Sequence, residues 1–340
     1  MTDVARLAGV SQTAASFVLS GRGAEMRISA EAQSRVLRAA RETGYRPNKL
    51  SRSLRTGTSQ TIGFVSDTVA TTPYAGHIIW GALDAARERD SLLFIAETEG
   101  DAELERELID ALHDRGVDGI VLASMYTRKV EVPASLAGSR AVLLNALPST
   151  PSTTPCVVPD ELEAGRTVAQ TFLKAGHRDG ICLVGAAPPD QAPEGSLAAL
   201  QRLQGIVETL QAAGAEILAA IPCTDWQPEH GYQATLKLLD STKPSGLICF
   251  NDRLAFGAYQ ALSERGLRVP EDVSVISFDD DQVASWLRPQ LTTVALPHYE
   301  LGREAVNALL DMASTPPADA APRLIPMELR ERESVGPPTK

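Results

Sequence analysis

TDVARLAGVSQTAASFVLSG, residues 2–21, holds two short helical patterns that meet at Gly9-Val10. Val4, Ala5, Leu7 and Ala8 bury one face of the first pattern, and Gly9 permits a tight turn after it. Ser11 N-caps a second helix that runs to about Leu19. On that helix Ala14, Ala15, Val18 and Leu19 face inward. Gln12, Thr13, Ser16 and Phe17 lie outward at i, i+1, i+4 and i+5. A small, polar outward face at a helix N-terminus suits the major groove, where Gln pairs with adenine and apolar groups touch thymine methyls. The stretch therefore reads as a helix-turn-helix, with Ser11, Gln12, Thr13, Ser16 and Phe17 toward DNA. A third pattern opens at Ser29 and runs to about Gly44, with Val36, Leu37 and Ala40 inward and Arg35, Arg38 and Arg41 outward. A small helical bundle with a solvated basic face is the alternative reading.

Charge separates the two readings. Residues 1–60 contain 10 Lys+Arg and 4 Asp+Glu, a balance of +6, in a chain of 340 residues whose net charge is −11. A basic arm on an acidic body points to a polyanion partner for the arm alone.

The next residues are GYRPN (44–48), the basic segment LSRSL (50–54) and TIGFVS (61–66). In this order, after DVARLAGVS, they resemble the LacI/GalR family of bacterial transcription repressors over essentially the whole chain. The resemblance implies a helix-turn-helix headpiece over 1–46 and a hinge helix and linker over 47–60. It also implies a periplasmic-binding-protein-like body over 61–340. The hinge helix of that family lies in the minor groove, where Leu54 matches a leucine that wedges a base step. Lys49 and Arg52 fall where phosphate or minor-groove contacts are expected. A helix of roughly eight residues is below the ~12–15 needed for stability alone, so it folds only against DNA or a partner. One departure is Phe17, where the family usually has Arg. Phe offers only apolar contact, such as to a thymine methyl, so the family's usual half-site does not carry over. Packing of Phe17 against the third helix is the alternative.

From Thr61 the pattern becomes α/β. TIGFVS, LLFIAE, GIVLAS and AVLLN, then ICLVG, EILAAI, GLICF and VSVISF, are apolar runs. Helical stretches near 75–89, 101–115, 160–175, 197–213, 229–240 and 252–265 alternate with them. Such alternation predicts two doubly wound parallel sheets covered by helices. Pro148, Pro151, Pro155 and Pro159 mark a crossover between the two sets. The resemblance adds crossovers near 290–297 and 314–322. It divides the body into a first subdomain at about 61–147 and 295–315 and a second at about 159–290 and 320–335, which takes the last strand, 323–330.

Ligands of open parallel sheets bind beyond the carboxyl ends of the strands. Asp67, Ser124, Asn145, Asn251 and Asp279 each follow a strand pattern and supply short polar groups suited to hydroxyls. The resemblance adds Arg202, from an Arg-x-x-Gly match, and Trp226, an aromatic that stacks on the effector. It also marks Asn251-Asp252 and Asp279. Read alone, Asp252 is a helix N-cap, Arg202 a surface charge and Trp226 a loop anchor. Tyr74, Tyr126 and His77 are weaker candidates.

The Cys residues 156, 182, 223 and 249 show no C-x-x-C spacing and read as reduced core residues of a cytoplasmic protein. Neither a membrane-length apolar run nor leader character is present. A Walker-type loop, zinc spacing and a Ser/His/Asp arrangement are absent too. The expectation is a non-enzymatic homodimeric regulator without metal or cofactor. It binds an inverted-repeat DNA operator under control of a small effector, a mono- or oligosaccharide. A sugar-binding protein or enzyme of similar body fold is the other class.

Overall fold

A computed structural model describes residues 1–45, 57–72, 75–186, 195–312 and 321–339. Lys49, Arg52, Leu54 and Tyr74 lie outside the described residues. The chain divides into two units, 1–59 and 60–340.

The first unit is built from α1 (Thr2–Ala8), α2 (Gln12–Leu19) and α3 (Ala30–Glu42). Gly9 stops α1 in the left-handed region at φ 63°, which costs glycine least. Ser11 Oγ accepts the Ala14 N–H at 3.1 Å, and Ser29 Oγ accepts that of Ala32 at 3.3 Å. The core is small-residue: Val4, Ala5, Ala8, Ala15, Val18, Val36, Ala39 and Ala40. Leu7 and Leu37, expected inside, are 56% and 46% exposed. Each lies about 100° round its helix from the buried stripe, and Ala39 takes the inward place assigned to Leu37. Arg35, expected outside, is tied to α1: its Nε donates to the Ala8 carbonyl at 3.0 Å.

The second unit carries two six-stranded sheets. The first uses β1 (Thr61–Ser66), β2 (Leu92–Glu97), β3 (Gly119–Val130), β4 (Ala141–Pro148), β5 (Cys156–Pro159) and β11 (Arg323–Ile325), in the order β11-β5-β4-β3-β1-β2. The second uses β6 (Ile181–Gly185), β7 (Ile217–Pro222), β8 (Gly246–Cys249), β9 (Ser274–Asp279), β10 (Thr292–Ala295) and β12 (Leu329–Arg330), in the order β12-β10-β9-β8-β6-β7. The two orders correspond, and every pair is parallel except β10 with β12.

Helices cover both faces of the first sheet. Ile62 and Phe64 of β1 meet α4 (Gly76–Glu88) and α11 (His298–Asp311), whereas Val65 meets α5 (Ala102–Asp114) on the other side. That is the period of two expected of a strand buried on both faces. In the second lobe, α6 (Glu161–Ala175) lies against α7 (Leu197–Ala212), and α8 (Pro228–Ser241) against α9 (Asp252–Glu264). A short α10 (Gln282–Trp286) follows β9. Glycines face neighbouring backbone at three helix crossings. A Cβ on Gly81 would fall on the Tyr299 carbonyl, and one on Gly302 on that of Ile78. Gly165 with Gly205, and Gly231 with Gly257, repeat the arrangement.

Two sequence-based boundaries move. The proline-rich stretch 148–159 holds β5, a further strand of the first sheet, so the first crossover follows Pro159. Residues 323–330 do not form one strand of the second lobe. β11 pairs with β5 and β12 with β10, which puts a crossover at 326–328. Edge strands of three and two residues are too short to carry a hydrophobic pattern.

Candidate functional site

Because the strands run parallel, their carboxyl ends gather on one side of each sheet, and the two sides face each other across a cavity of about 820 Å³. His77, Met125, Tyr126 and Asn145 line it from the first lobe. Glu161, Ser196, Arg202, Trp226, Asn251 and Asp279 line it from the second, with Ala295, Leu296 and His298 from the crossover between β10 and α11. β3 runs on beyond its pairing with β1, still paired with β4, and there Arg128 forms an isolated antiparallel bridge with Ser196. A second cavity of about 730 Å³ surrounds Tyr259, Arg268 and Arg288; none of the strand-end candidates lines it.

Arg202 sits at the floor of the cleft and is 2% exposed. Glu161 takes its Nε at 2.6 Å and Nη2 at 3.2 Å, the Phe250 carbonyl takes Nη1 at 2.6 Å, and Asp279 takes Nη2 at 3.3 Å. Its Cζ lies 4.5 Å from the Phe278 ring centroid and 5.9 Å from that of Trp226. Burial works against the charge, but Glu161 and Asp279 outweigh it and hold the guanidinium above its ordinary value. The cation is thus fixed and largely neutralised, with one Nη1 N–H left without a partner among the described residues. Arg202 therefore organises the site and offers little net positive charge to an anion.

Asp279 ends β9 at φ 107°, and Asn145, inside β4, takes φ 56°. Non-glycine residues at such angles are strained, and both lie in the cavity wall. The Asn145 amide is engaged, accepting from Thr127 Oγ1 at 2.8 Å and donating to the Met125 carbonyl at 3.1 Å. Asn251 lines the cavity too, but its Oδ1 caps α9 at Leu254 N (2.8 Å) while its Nδ2 donates to the Trp226 carbonyl at 3.2 Å. It thereby fixes the loop that presents Trp226, whose indole Nε1 is buried without a hydrogen-bond partner among the described residues.

Asp252 is not the cap expected of it, because Asn251 holds that position. Its buried carboxylate accepts from Ser277 Oγ, from Thr293 Oγ1 at 2.8 Å and from Asp281 N at 2.7 Å. It ties α9 to β9, β10 and α10. Burial, with Asp279 nearby, raises its pKa well above the carboxylate range.

Asp67, expected in the cleft, is engaged elsewhere. Its carboxylate accepts from Thr68 N at 2.6 Å and Met125 N at 3.2 Å and pairs with Arg128 Nη2 at 2.9 Å. It braces the β1–β3 strand ends and is not among the residues of the cavity wall. Ser124 is likewise outside that wall and accepts from Arg128 Nε at 3.2 Å. Glu161 and His298 were not anticipated. Glu161 opens α6 two residues past the end of β5, where the strand-end rule points to Asp160, the cap of α6. His298 had no such signal. Burial lowers its pKa, against the pull of Asp279 and Asp281.

In the first unit, Gln12 and Thr13 are exposed, while Ser16 and Phe17 are half-buried. Ser11 acts as the cap described above. Gln12 Nε2 donates to Thr2 Oγ1 at 2.9 Å. Phe17 is not part of the cluster that joins α1, α2 and α3, which leaves its ring on the outward face of α2.

The described residues hold no His/Cys/Asp/Glu group suited to a metal and no helix long and apolar enough to cross a membrane. All four cysteines are buried and free. Burial pushes the Cys156 and Cys223 thiols up to about 11.

Residues 1–48 match the family described as bacterial regulatory proteins, lacI family, and residues 169–335 match the periplasmic binding protein-like domain. The HTH-type transcriptional regulator AscG of Escherichia coli (strain K12) is 31% identical, with 96% of each chain covered. The ribose operon repressor of the same organism is 31% identical over 93% of each. Among solved structures, the lac repressor dimer bound to operator and the anti-inducer ONPF superposes with a TM-score of 0.80 at 25% identity, covering 98% of each chain. The CelR–cellobiose complex gives 0.68 at 29% identity over 98% of each.

Proposed function

This chain belongs to the LacI family of bacterial transcriptional regulators, and from that premise we propose that it binds an inverted-repeat operator as a homodimer under control of a hydroxyl-rich effector, a mono- or oligosaccharide, held in the cleft. It is a regulator and not an enzyme. The observation that carries the effector reading is the Glu161–Arg202–Asp279 ion cluster beside Trp226 at the cavity floor. Fixed carboxylate and amide groups offer partners to hydroxyls, and a flat indole covers the apolar face of a pyranose. With Arg202 already paired, a phosphorylated or carboxylate effector gains little from it. The lac repressor is solved with ONPF and operator, CelR with cellobiose, and a LacI-family regulator from Enterococcus faecium with ribose.

Arg202, Trp226 and Asp279 are assigned to the effector, with Asn145 and Asn251 shaping the wall. Asp67 is assigned to bracing the strand ends. Gln12, Thr13, Ser16 and Phe17 are assigned to the major groove, and Lys49, Arg52 and Leu54 to the minor groove. Homodimerisation is supported by the edge of the first sheet, where Leu92, Phe94 and Ile95 of β2 are 54%, 44% and 41% exposed. An exposed apolar edge is an aggregation hazard unless a partner covers it.

Calorimetry against a panel of mono- and disaccharides tests the effector. One sugar binds the intact protein, and Trp226→Ala and Asp279→Ala each abolish its binding while leaving operator affinity without sugar intact. Unchanged sugar affinity in both variants sinks the assignment. Operator affinity falls steeply with salt, because each basic headpiece displaces counterions; a flat dependence removes the DNA reading.

A further inference from the structure

The last turn of α2 stops in a particular way. Gly21 takes φ 79°, its N–H donates to the Val18 carbonyl at 3.0 Å, and the Arg22 N–H donates to the Phe17 carbonyl at 2.9 Å. This pair of bonds is the Schellman stop, in which the residue after glycine returns over the last turn and makes an apolar contact there. Here the returning side chain is an arginine. Arg22 Cζ lies 5.4 Å from the Phe17 ring centroid. Glu25 holds the guanidinium from one edge, accepting Nε at 2.9 Å and Nη2 at 2.7 Å.

The guanidinium is therefore oriented twice, by a ring beneath and a carboxylate along one side. Both Nη1 N–H groups and the second of Nη2 have no hydrogen-bond partner among the described residues. Two parallel N–H groups on one edge of a guanidinium match guanine O6 and N7. Phe17 itself has no donor, and Gln12, Thr13 and Ser16 share its face of α2.

We infer that Arg22 reads a guanine in the operator half-site, with Phe17 as its stacking platform and Glu25 as its buttress. Arg22 is then a specificity-determining residue contributed by the turn after the recognition helix. The inference rests on the proposal that the headpiece reads an operator, and it adds a base contact that the outward residues of α2 do not supply. Holding the guanidinium in place before DNA arrives reduces the side-chain ordering cost of binding. Glu25 also repels phosphate, so the pair is better suited to a base edge than to the backbone.

The test is selection from randomised duplexes with the full-length protein, followed by affinity measurements on the enriched site and its variants. The intact protein enriches guanine at one symmetry-related pair of half-site positions. Arg22→Ala lowers the preference for that guanine by about 5- to 150-fold, the range for one bidentate pair, and leaves the other positions unchanged. Arg22→Lys keeps the charge without the fork and loses the preference as alanine does. Thermal midpoints of all three proteins coincide. If Arg22→Ala instead weakens every sequence alike and reduces the salt slope, Arg22 is a phosphate contact and the inference is overturned. A lower midpoint with the guanine preference intact makes it a helix stop only, which also overturns it. If the intact protein enriches no sequence, the operator proposal itself fails.

Discussion

Arg202 is a charge at the floor of a lobe, and its worth depends on Glu161 more than on any ligand. Removing one member of a buried pair leaves the other uncompensated and costs about 3–5 kcal/mol. Glu161→Gln is therefore expected to lower the urea midpoint of the body sharply, whereas Asp279→Asn, at the more exposed end of the cluster, has a smaller effect on stability. Two urea titrations decide it. Buried titratable groups also make the stability of the body depend on pH. Burial lowers the pKa of His298 and, in a site formed with Ser245, Ser274 and the Gly336 carbonyl, that of His177. At these two sites the unfolded chain binds more protons than the folded one as pH falls below about 6.5, so they lower stability in that direction, whereas Asp252, with its raised pKa, works the other way. His298→Gln removes one of the two sources, and the loss of stability between pH 7 and pH 5 becomes shallower. An unchanged slope would show that carboxylates alone set it. Strand ends were legible at this scale because a polar residue after an apolar run is a local signal. What became of each was not: Asp67 was expected in the cleft, and Arg128, on the far part of β3, claims it.

Glycine pairs govern the helix crossings. At Gly81 and Gly302 the backbones of α4 and α11 meet with no room for a methyl group, so alanine at either position must push the helices apart. Overpacking of this kind costs about 1–3 kcal/mol. Gly76→Ala, on the same helix but with nothing within 4 Å, is the control and leaves the thermal midpoint nearly unchanged. Equal midpoints for Gly302→Ala and Gly76→Ala would refute the close-crossing argument. The edge strand β2 supports a second expectation at this scale. Phe94→Glu places a charge on the apolar edge, so the protein sediments as a monomer and binds operator far more weakly. Periodicity made the principal strands and helices of the body readable, since alternating burial is written locally. It failed where length was too small. β5, β11 and β12 carry four, three and two residues, and their sheet membership is decided by partners far along the chain. Leu7 and Leu37 failed for the opposite reason, since apolar side chains on short helices need not face the core.

Neither lobe is a continuous piece of chain. The first sheet accepts β11 from residues 323–325, and its face is covered by α11 from residues 298–311. Between β5 and α11 the chain completes the second lobe except for β12 and the C-terminal segment around it. The order of synthesis therefore matters. At roughly 5–20 residues per second, on the order of 10 s separates the emergence of β5 from that of α11. During that interval the sheet face that carries Ile62, Phe64, Val121 and Val142 lacks the Leu301, Ala305 and Leu309 side chains that later cover it. The nascent first lobe thus keeps that apolar face uncovered until α11 has left the exit tunnel, while α1, α2 and α3 draw their common core from residues 1–45 and are free to fold at once.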